Sequence, residues 1–279
     1  MDKKKRTRFI IIMLFLLALI LVGVFLTGNT SAAEEPIGEV MRDAVLHENA
    51  KVRLFGILSV NPALVSAYTV TGIIFVFALI VRIFVIPKFS NTPVRFQLLL
   101  EQAVGIFDGL AKSNSPHRHK FLGAYVFFAG VYIFIGTMFE LLGVMVPTTS
   151  GGTIALPAPL ADINGAISMG VISYCVILSG GIAGNRIKGV LNTLKDFSLP
   201  ISMSFRLFGA LLSGALVTEL VYYYITTSFI IPIFVAVMFT MLHALIQAYV
   251  LTMLTALFYG EVSETGPASG ENTIRLIVR

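Results

Sequence analysis

Long apolar runs constrain this chain more than any other feature of its sequence. Apolar segments lie at about 63–86, 121–146 and 163–184, and the stretch 197–260 is long enough for two more. About 20 apolar residues cross the hydrocarbon core of a bilayer, where a helix satisfies all its own backbone hydrogen bonds. Charged residues make up 13% of the chain, whereas soluble domains carry about 25%. The sequence therefore predicts an all-α membrane protein with about five transmembrane helices in its mature form.

The segment 1–33 has the features of an export signal. Lys and Arg crowd its first eight positions, the run 9–26 is apolar, and small residues end the segment at Ala33. This order is typical of a cleaved signal peptide, but the apolar run is also long enough to remain as an anchor. We therefore expect a signal peptide or an N-terminal anchor, followed by an external segment at 34–62.

The basic residues between the apolar runs predict the orientation of the chain. Six Lys or Arg residues fall in 82–120 and three in the loop 185–196, whereas 147–162 has none. Because cytoplasmic loops are enriched in Lys and Arg, the first two segments should face the cytoplasm. The mature N-terminus is then outside, and the polar tail 261–279 is cytoplasmic. Apolar residues at helical spacing in 94–112 predict an interfacial helix.

Several functional classes lack a sequence signal. Neither GxxxxGK[ST] nor a GxGxxG placed between a strand and a helix occurs, which argues against a nucleotide site. The single Cys175 and the loop histidines His117 and His119 form no metal-ligand pattern. Basic residues form no dense patch interleaved with aromatic residues, so nucleic acid is not expected as a partner. We expect no cofactor, no metal and no catalytic site in this chain.

Arg206 is the residue most indicative of function. It lies in 198–217, where every other residue is uncharged. Ser228 and Pro232 mark a break that divides 197–260 into two helices of a hairpin within the membrane domain 63–260. A guanidinium keeps its charge in a protein, and placing it at bilayer depth costs roughly 2.5–3.5 kcal/mol on insertion scales. Such a residue indicates a functional site with a partner.

Small residues share the helix face of Arg206. At 3.6 residues per turn, this face holds Arg206, Ala210, Ser213, Gly214 and Val217, and Gly209 lies beside them. Small residues allow a second helix to approach closely, although ordinary packing within the chain gives the same pattern. Glu219 lies 13 residues away, or roughly 20 Å along a helix. A carboxylate of another polypeptide is therefore the expected counter-ion.

Two segments carry a resemblance to a known family. LPISMSFRLFGALLSG (199–214) and ALIQAYVLTMLTALFY (244–259) resemble the paired segments of subunit a of F-type ATP synthases. The segments ADINGAISMG (161–170) and FELLGVMVP (139–147) are similar to two further family segments. The resemblance covers roughly 120–260 and implies that the last two helices form a long, tilted hairpin facing a ring of c subunits.

The resemblance also implies residue roles. Arg206 would be the stator arginine that faces the ion-binding carboxylates of the ring, with Gln247 close to it. Asp196, Ser198 and Ser202 would line the inner half-channel, and Asp162 and Asn164 the outer half-channel. The small residues that would contact the ring are Gly209, Ala210, Ser213 and Gly214.

The chain departs from the family pattern in the outer half-channel. Ala210 replaces a common Asn, Ala215 a common Glu, and Thr240 a common His or Glu. Three nearby titratable residues are candidates to replace the missing pair, namely Glu219, His243 and Glu140. The alternative is that water alone fills this part of the channel.

The resemblance implies a non-catalytic subunit that conducts protons, or sodium ions, and couples their flow to rotation and ATP synthesis or hydrolysis. The implied partners are the c-subunit ring, b-type peripheral stalk subunits, the rest of the complex and the lipid bilayer, in the bacterial inner membrane. One alternative is a self-contained secondary transporter in which Arg206 binds an anionic substrate, although no internal repeat supports it. A membrane scaffold without an ion path is the other, although buried charge would then serve no purpose.

Overall fold

A computed structural model describes residues 38, 51–54, 58–90, 93, 95–149, 152–223 and 231–263. The predicted signal segment 1–33, most of the external segment and all but the first residues of the tail lie outside the described residues. The longer helices are α1 (Pro62–Ile80), α2 (Arg95–Asn114), α3 (His119–Phe139), α4 (Ile163–Lys195), α5 (Ser198–Tyr223) and α6 (Ile231–Ser263). Five helical stretches in the described residues are long and apolar enough to cross a membrane. The prediction of an all-α membrane protein is thereby confirmed.

The first span begins at a capped terminus and ends at a proline. The Asn61 side chain accepts a hydrogen bond of 3.0 Å from the Ala63 amide, and Pro62 occupies a first-turn position where its missing N–H is harmless. After α1 the chain continues as a π-helical turn, Val81–Val85, and a 3-10 turn, Ile86–Lys88. Most of the side chains of α1 are exposed. This span therefore lies at the edge of the bundle, with an apolar surface suited to lipid.

The amphipathic helix predicted at 94–112 is present as α2, and half of it packs against the bundle. The Phe107 ring stands edge-on to the Phe127 ring of α3, with centroids 5.6 Å apart. Ala111 is fully buried against α3. The N-terminal half of α2 exposes apolar side chains such as Phe96 and Leu99. The position of α2 at the membrane interface stays a prediction.

The second span is shorter than predicted. We expected it to run to residue 146, but α3 passes into a 3-10 turn, Glu140–Leu142, and ends at Gly143, whose φ of 58° is left-handed. A hairpin of β3 (Met145–Pro147) and β4 (Thr153–Ala155) follows in what was predicted to be a plain loop. A second hairpin, β1 (Val52–Leu54) with β2 (Leu58–Val60), is tied to it by a 2.9 Å bond from the Thr149 amide to the Lys51 carbonyl.

The segment 185–196 is not the loop that its basic residues suggested. It belongs to α4, which bends sharply at Arg186, where φ is 51° and ψ is −127°. Beyond the bend, 187–195 folds back along the helix: the Tyr174 hydroxyl donates to the Thr193 carbonyl at 3.0 Å. Gly189 lies so close to Gly181 that a Cβ on Gly189 would collide with the Gly181 carbonyl. Two glycines therefore allow this back-fold.

The core lies between α3, α4, α5 and α6. Its fully buried side chains include Leu122, Ile133, Ile177 and Leu207, with the Tyr259 ring at 2% exposure. A Cβ on Gly180 would lie 2.7 Å from that ring, so this glycine lets α4 approach α6. Since α6 contacts α2, α3, α4 and α5, it is the central helix of the bundle.

The two ends of the bundle differ in charge. At one end of the bundle α1 finishes, α3 begins and α4 bends, and we call this the basic end. It carries Lys88, Arg118, Lys120, Arg186 and Lys188. The opposite end carries the two β-hairpins and Asp162. The Arg118 guanidinium, directly before α3, donates a hydrogen bond of 2.7 Å to the Ala183 carbonyl of α4. This bond connects the start of α3 to the bend of α4 at the basic end.

Candidate functional site

One face of α5 is left open by the bundle. Met203, Ser204, Leu207 and Leu211 are buried against the other helices. The exposed side chains recur at helical spacing along the opposite face: Ser202, Phe205, Arg206, Gly209 and Ser213. Within the described residues, no atom outside the adjoining part of α5 itself lies within 4 Å of where a Cβ on Gly209 would be. Arg206 therefore lies on an exposed face of α5, next to residues with small or absent side chains.

The helices α5 and α6 pack against each other in opposite directions. Gly214 lies against His243, whereas Arg206 and Leu207 share a cleft with Gln247 and Leu251. Positions further along α5 thus meet positions earlier in α6, as the predicted hairpin requires. The cleft has no room for a water molecule. Arg206 and Gln247, which are 41 positions apart in the sequence, are therefore neighbours in the fold.

The polar groups at this cleft have few internal partners. Among the described side chains, no carboxylate lies within ion-pair distance of Arg206. Gln247 is 6% exposed, and no hydrogen bond to its amide is found within the described ranges. A charged guanidinium in an apolar helix needs a polar environment or an opposite charge. The open face of α5 is where a second chain can supply it.

On α6, His243 lies one turn before Gln247, also at the contact between α5 and α6. Its Nδ1 lies 2.8 Å from the Phe239 carbonyl, which accepts a hydrogen bond when that nitrogen carries a proton. The imidazole stacks on the Phe239 ring with centroids 5.9 Å apart. Gly214 lies opposite, and a Cβ there would be 3.5 Å from Nδ1. Gly214, predicted to contact a partner ring, thus also makes room for His243, and Ala210 beside it is half-buried.

The residues predicted for an inner path lie where α5 begins. Asp196, Ser198 and Ser202 are all exposed, and the turn between α4 and α5 is closed by a 2.9 Å bond from the Leu199 amide to the Asp196 carbonyl. Ser202 lies one turn before Arg206 on the same exposed face. The structure therefore brings this polar group and the arginine onto one continuous surface.

The residues predicted for an outer path line a separate cavity of about 310 Å³. The Asn164 amide lies 3.4 Å from Asp162 Oδ2, at the start of α4. The cavity is bounded by α1, α3 and α4, and no described residue of α5 or α6 lines it. The turn Pro159–Ala161, which directly precedes Asp162, contacts α5, and the role of Asp162 and Asn164 in an outer half-channel stays a prediction.

Three hydroxyl residues in this cavity were missed by the sequence analysis. Thr71, Tyr132 and Ser168 line it together with Asp162 and Asn164. Each is an uncharged polar residue in an apolar span, which the search for charged groups passed over. Only the packing of α1 against α3 and α4 places them in one cavity.

Along the bundle axis, Glu140 lies at about the same depth as His243. Helices α3 and α6 run antiparallel, since the Phe121 ring lies 6.4 Å from the Tyr259 ring and Gly130 is beside Thr252. Continued at 1.5 Å per residue, this register brings the end of α3 near the level of His243, and the turn Glu140–Leu142 contacts α6. Glu219 is in α5, but its side chain lies outside the described residues.

A metal centre has no support in the described part of the chain. No three side chains of His, Cys, Asp or Glu come close enough there to hold an ion. Cys175 is a free, exposed thiol. The chemistry available at the α5–α6 face is electrostatic: a fixed cation, a buried amide and an imidazole arranged along one interface.

Comparison with known proteins identifies the family. The model of the family described as "ATP synthase A chain" matches residues 65–260, which includes α1 through most of α6. The chain belongs to this family. The matched range contains Arg206, Gln247, His243, Asp162 and Asn164.

A curated relative agrees over almost the whole chain. The protein named "ATP synthase subunit a, chloroplastic", from Oedogonium cardiacum, is 25% identical over 264 residues. The alignment covers 86% of this chain and 97% of the relative. Membership in the ATP synthase A chain family implies a non-catalytic, multi-pass subunit of the membrane sector, which takes part in proton translocation and acts together with other subunits.

Proposed function

We propose that this chain is the ion-conducting stator subunit of an F-type ATP synthase. It forms two aqueous half-channels that meet at Arg206, where the open face of α5 lies against a ring of c subunits. Protons pass from one half-channel to a ring carboxylate, travel with the turning ring, and leave through the other half-channel. The rotation is coupled to ATP synthesis or hydrolysis in the soluble part of the complex.

The open face of α5 supports the proposed contact with the ring. Gly209 and Ser213 have small or absent side chains, so a ring helix can approach the backbone of α5 closely. A protonated carboxylic acid is neutral and can face lipid, whereas the ionised form is costly there. Arg206 stabilises the ionised form at the interface. Its fixed charge also repels a cation moving directly between the half-channels, so that ions travel with the ring.

The polar residues on either side of Arg206 support two half-channels. Asp196, Ser198 and Ser202 continue the exposed face of α5 toward the inner path. On the other side, the cavity at Asp162 and Asn164 is the outer entrance. Its separation from α5 leaves a gap that Glu140, His243 and Glu219 bridge as links in a hydrated path.

The basic end supports a cytoplasmic orientation. Six basic residues between the first and second spans give this end the charge that cytoplasmic loops carry. We place the chain in the bacterial inner membrane with the mature N-terminus outside and the C-terminus in the cytoplasm. The b-type peripheral stalk subunits hold it against the turning ring.

One observation carries this proposal: Arg206 is exposed in the apolar stretch 198–217, where it is the one charged residue, beside Gln247 and with no described carboxylate partner in its own chain. The test is Arg206→Gln in the assembled complex, measured as ATP-driven acidification of inverted vesicles. We expect acidification to fall to background, because no positive charge then favours release of the proton from a ring carboxylate or stabilises the ionised carboxylate at the interface.

The matched control is Arg82→Gln, which removes an arginine at the end of the first span that lies outside the site. It should acidify the vesicles at the unmodified rate. Amounts of assembled complex are compared by the copurification of the ring and the soluble ATPase. Acidification near the unmodified rate by the Arg206→Gln complex would contradict the proposed role.

A further inference from the structure

An open cavity of about 590 Å³ lies at the basic end, between the start of α3 and the bend of α4. Ser179 and Ala183 line it from α4, and Tyr259 lines it from α6. The remaining wall is the basic segment 117–121, which begins α3. Cavities of a few hundred Å³ are of the size that holds small ligands. No described residue of α5 lines this one, so it is separate from the cleft at Arg206.

The charges at this cavity favour a bound anion. Arg118, His119 and Lys120 lie at the N-terminus of α3, the positive end of the helix dipole. The first turn has no acidic residue, and no side chain caps it. Free N–H groups at the start of a helix together with basic side chains form a typical binding site for a phosphate group.

Neighbouring groups of the chain do not supply this anion. Arg118 hydrogen-bonds to the Ala183 carbonyl at 2.7 Å and to the Tyr259 side chain, two contacts that position the guanidinium at the cavity and use part of its five N–H donors. Asp108, the carboxylate whose charge interacts with His119, is engaged by Lys112 at 2.6 Å. The Lys112 hydrogen bond holds the pKa of the Asp108 carboxyl below its usual value.

The wall below the basic groups is apolar. Phe121 is 55% exposed and follows Lys120 toward the apolar part of the bundle, while the buried Tyr259 ring and Ala183 form the back of the cavity. A free phosphate would leave this wall in contact with water. A ligand with a phosphate above and hydrocarbon below matches both parts of the cavity.

We propose that this cavity binds the phosphate headgroup of an anionic lipid through Arg118, Lys120 and the N-terminus of α3. The first carbons of the lipid then contact Phe121. The site is independent of the ion path, because it lies on another face of the bundle. Its occupancy neutralises the charge gathered at the start of α3 and anchors the second span at the membrane surface.

The test compares lipid binding by the detergent-solubilised complex that contains the full-length chain. Phosphatidylglycerol and phosphatidylcholine are titrated separately, and bound lipids are counted by native mass spectrometry. We expect preferential binding of phosphatidylglycerol. Arg118→Gln with Lys120→Gln should weaken it by roughly twenty-five-fold, since each basic group near an anionic lipid contributes about a factor of five.

Two further variants keep the result interpretable. Lys120→Gln alone preserves the bond from Arg118 to Ala183, and should weaken binding by about fivefold even if the double variant fails to fold. Arg82→Gln with Lys88→Gln removes two exposed charges at the same end but away from the cavity. This control should bind phosphatidylglycerol as the unmodified chain does.

Three results would overturn the proposal. Unchanged binding by the Lys120→Gln variant would show that the cavity is not the site. An equal loss in the Arg82 and Lys88 control would show unspecific attraction to the basic end. Displacement of phosphatidylglycerol by inorganic phosphate at comparable concentrations would assign the site to free phosphate instead of lipid.

Discussion

At the scale of single residues, the position of Arg206 follows from what surrounds it on α5. Neighbours on one side of the helix are buried in the core, so the arginine faces outward with Gly209 and Ser213. Gln247 adds a buried amide from α6 in the same cleft. Since a guanidinium keeps its charge at this depth, a moving partner with carboxylates accounts best for the arrangement.

His243 gives a prediction at this scale. Replacing it with Ala removes the titratable group at the level where the α5–α6 interface meets the end of α3. We expect ATP-driven acidification of vesicles to fall about tenfold, less than a positioned proton-transfer group usually contributes, because water can bridge part of the gap. Glu219→Gln should also lower the rate of ATP-driven acidification.

The comparison variant is Met238→Ala, which shortens an exposed side chain of α6 at the position directly before Phe239. It should leave the rate unchanged. If His243→Ala and Glu219→Gln both acidify vesicles at the unmodified rate, these residues do not replace the missing outer pair, and water alone fills this part of the path.

At the scale of secondary structure elements, the back-fold of α4 positions the start of α5. Residues 187–195 return along α4 and are held there by the bond from Tyr174 to Thr193. Helix α5 then begins beside the middle of α4, where Gly170 lies against Ser204. Ser202 lies one turn before Arg206, and Ser198 roughly 12 Å before it along α5. An inner path can be short because the chain has already turned back into the bundle.

Gly189 provides the prediction for this element. A methyl group at this position would collide with the Gly181 carbonyl, which is backbone and cannot move aside cheaply. We expect Gly189→Ala to lower the free energy of unfolding by about 1–3 kcal/mol, the range found for overpacked interiors. The measurement is the thermal unfolding midpoint of the purified complex in detergent.

Gly105→Ala is the matched change, because nothing lies within 4 Å of the added methyl group in the middle of α2. Alanine is the better helix former by about 1 kcal/mol, so this variant should unfold at the same or a slightly higher temperature. A Gly189→Ala protein as stable as the Gly105→Ala protein would show that 187–195 does not pack against α4 as described.

At the scale of the whole molecule, the asymmetry of charge sets the direction of the bundle. Basic residues gather where α3 begins and α4 bends, and the opposite end has two β-hairpins and the cavity at Asp162. The membrane potential and the anionic inner leaflet both favour basic loops in the cytoplasm. The proposed assignment of Asp196 to an inner path and of Asp162 to an outer path follows from the orientation that these charges predict.

Orientation can be tested by chemical labelling. In a chain whose own thiol is removed by Cys175→Ala, a single cysteine is introduced as Thr149→Cys or His117→Cys, both at exposed positions. A membrane-impermeant maleimide should label position 149 in intact cells and position 117 only in inverted vesicles. Labelling in the reverse pattern would mean that the basic end is outside, and the assignment of inner and outer paths would be exchanged.

Much of the helical framework could be predicted from sequence because apolar length and backbone satisfaction leave few choices in a membrane. The predictions failed where close contacts between helices decide the local structure. Residues 185–196 are basic and polar, so they resembled a loop, whereas the glycines at 181 and 189 allow a helical back-fold. The second span ends at Gly143 because the chain turns there into a hairpin, although apolar residues continue beyond it.

The sequence by itself determined that the chain spans a membrane, that one cation lies within its last hairpin, and that small residues share its face. These properties depend on composition and on helical spacing, which are local. Only the tertiary structure decided that Arg206 and Gln247 share a cleft, that His243 lies over Gly214, and that the cavity at Asp162 is bounded by α1, with Thr71, instead of by α5. Such contacts join positions far apart in the chain, and they depend on which helix faces pack together.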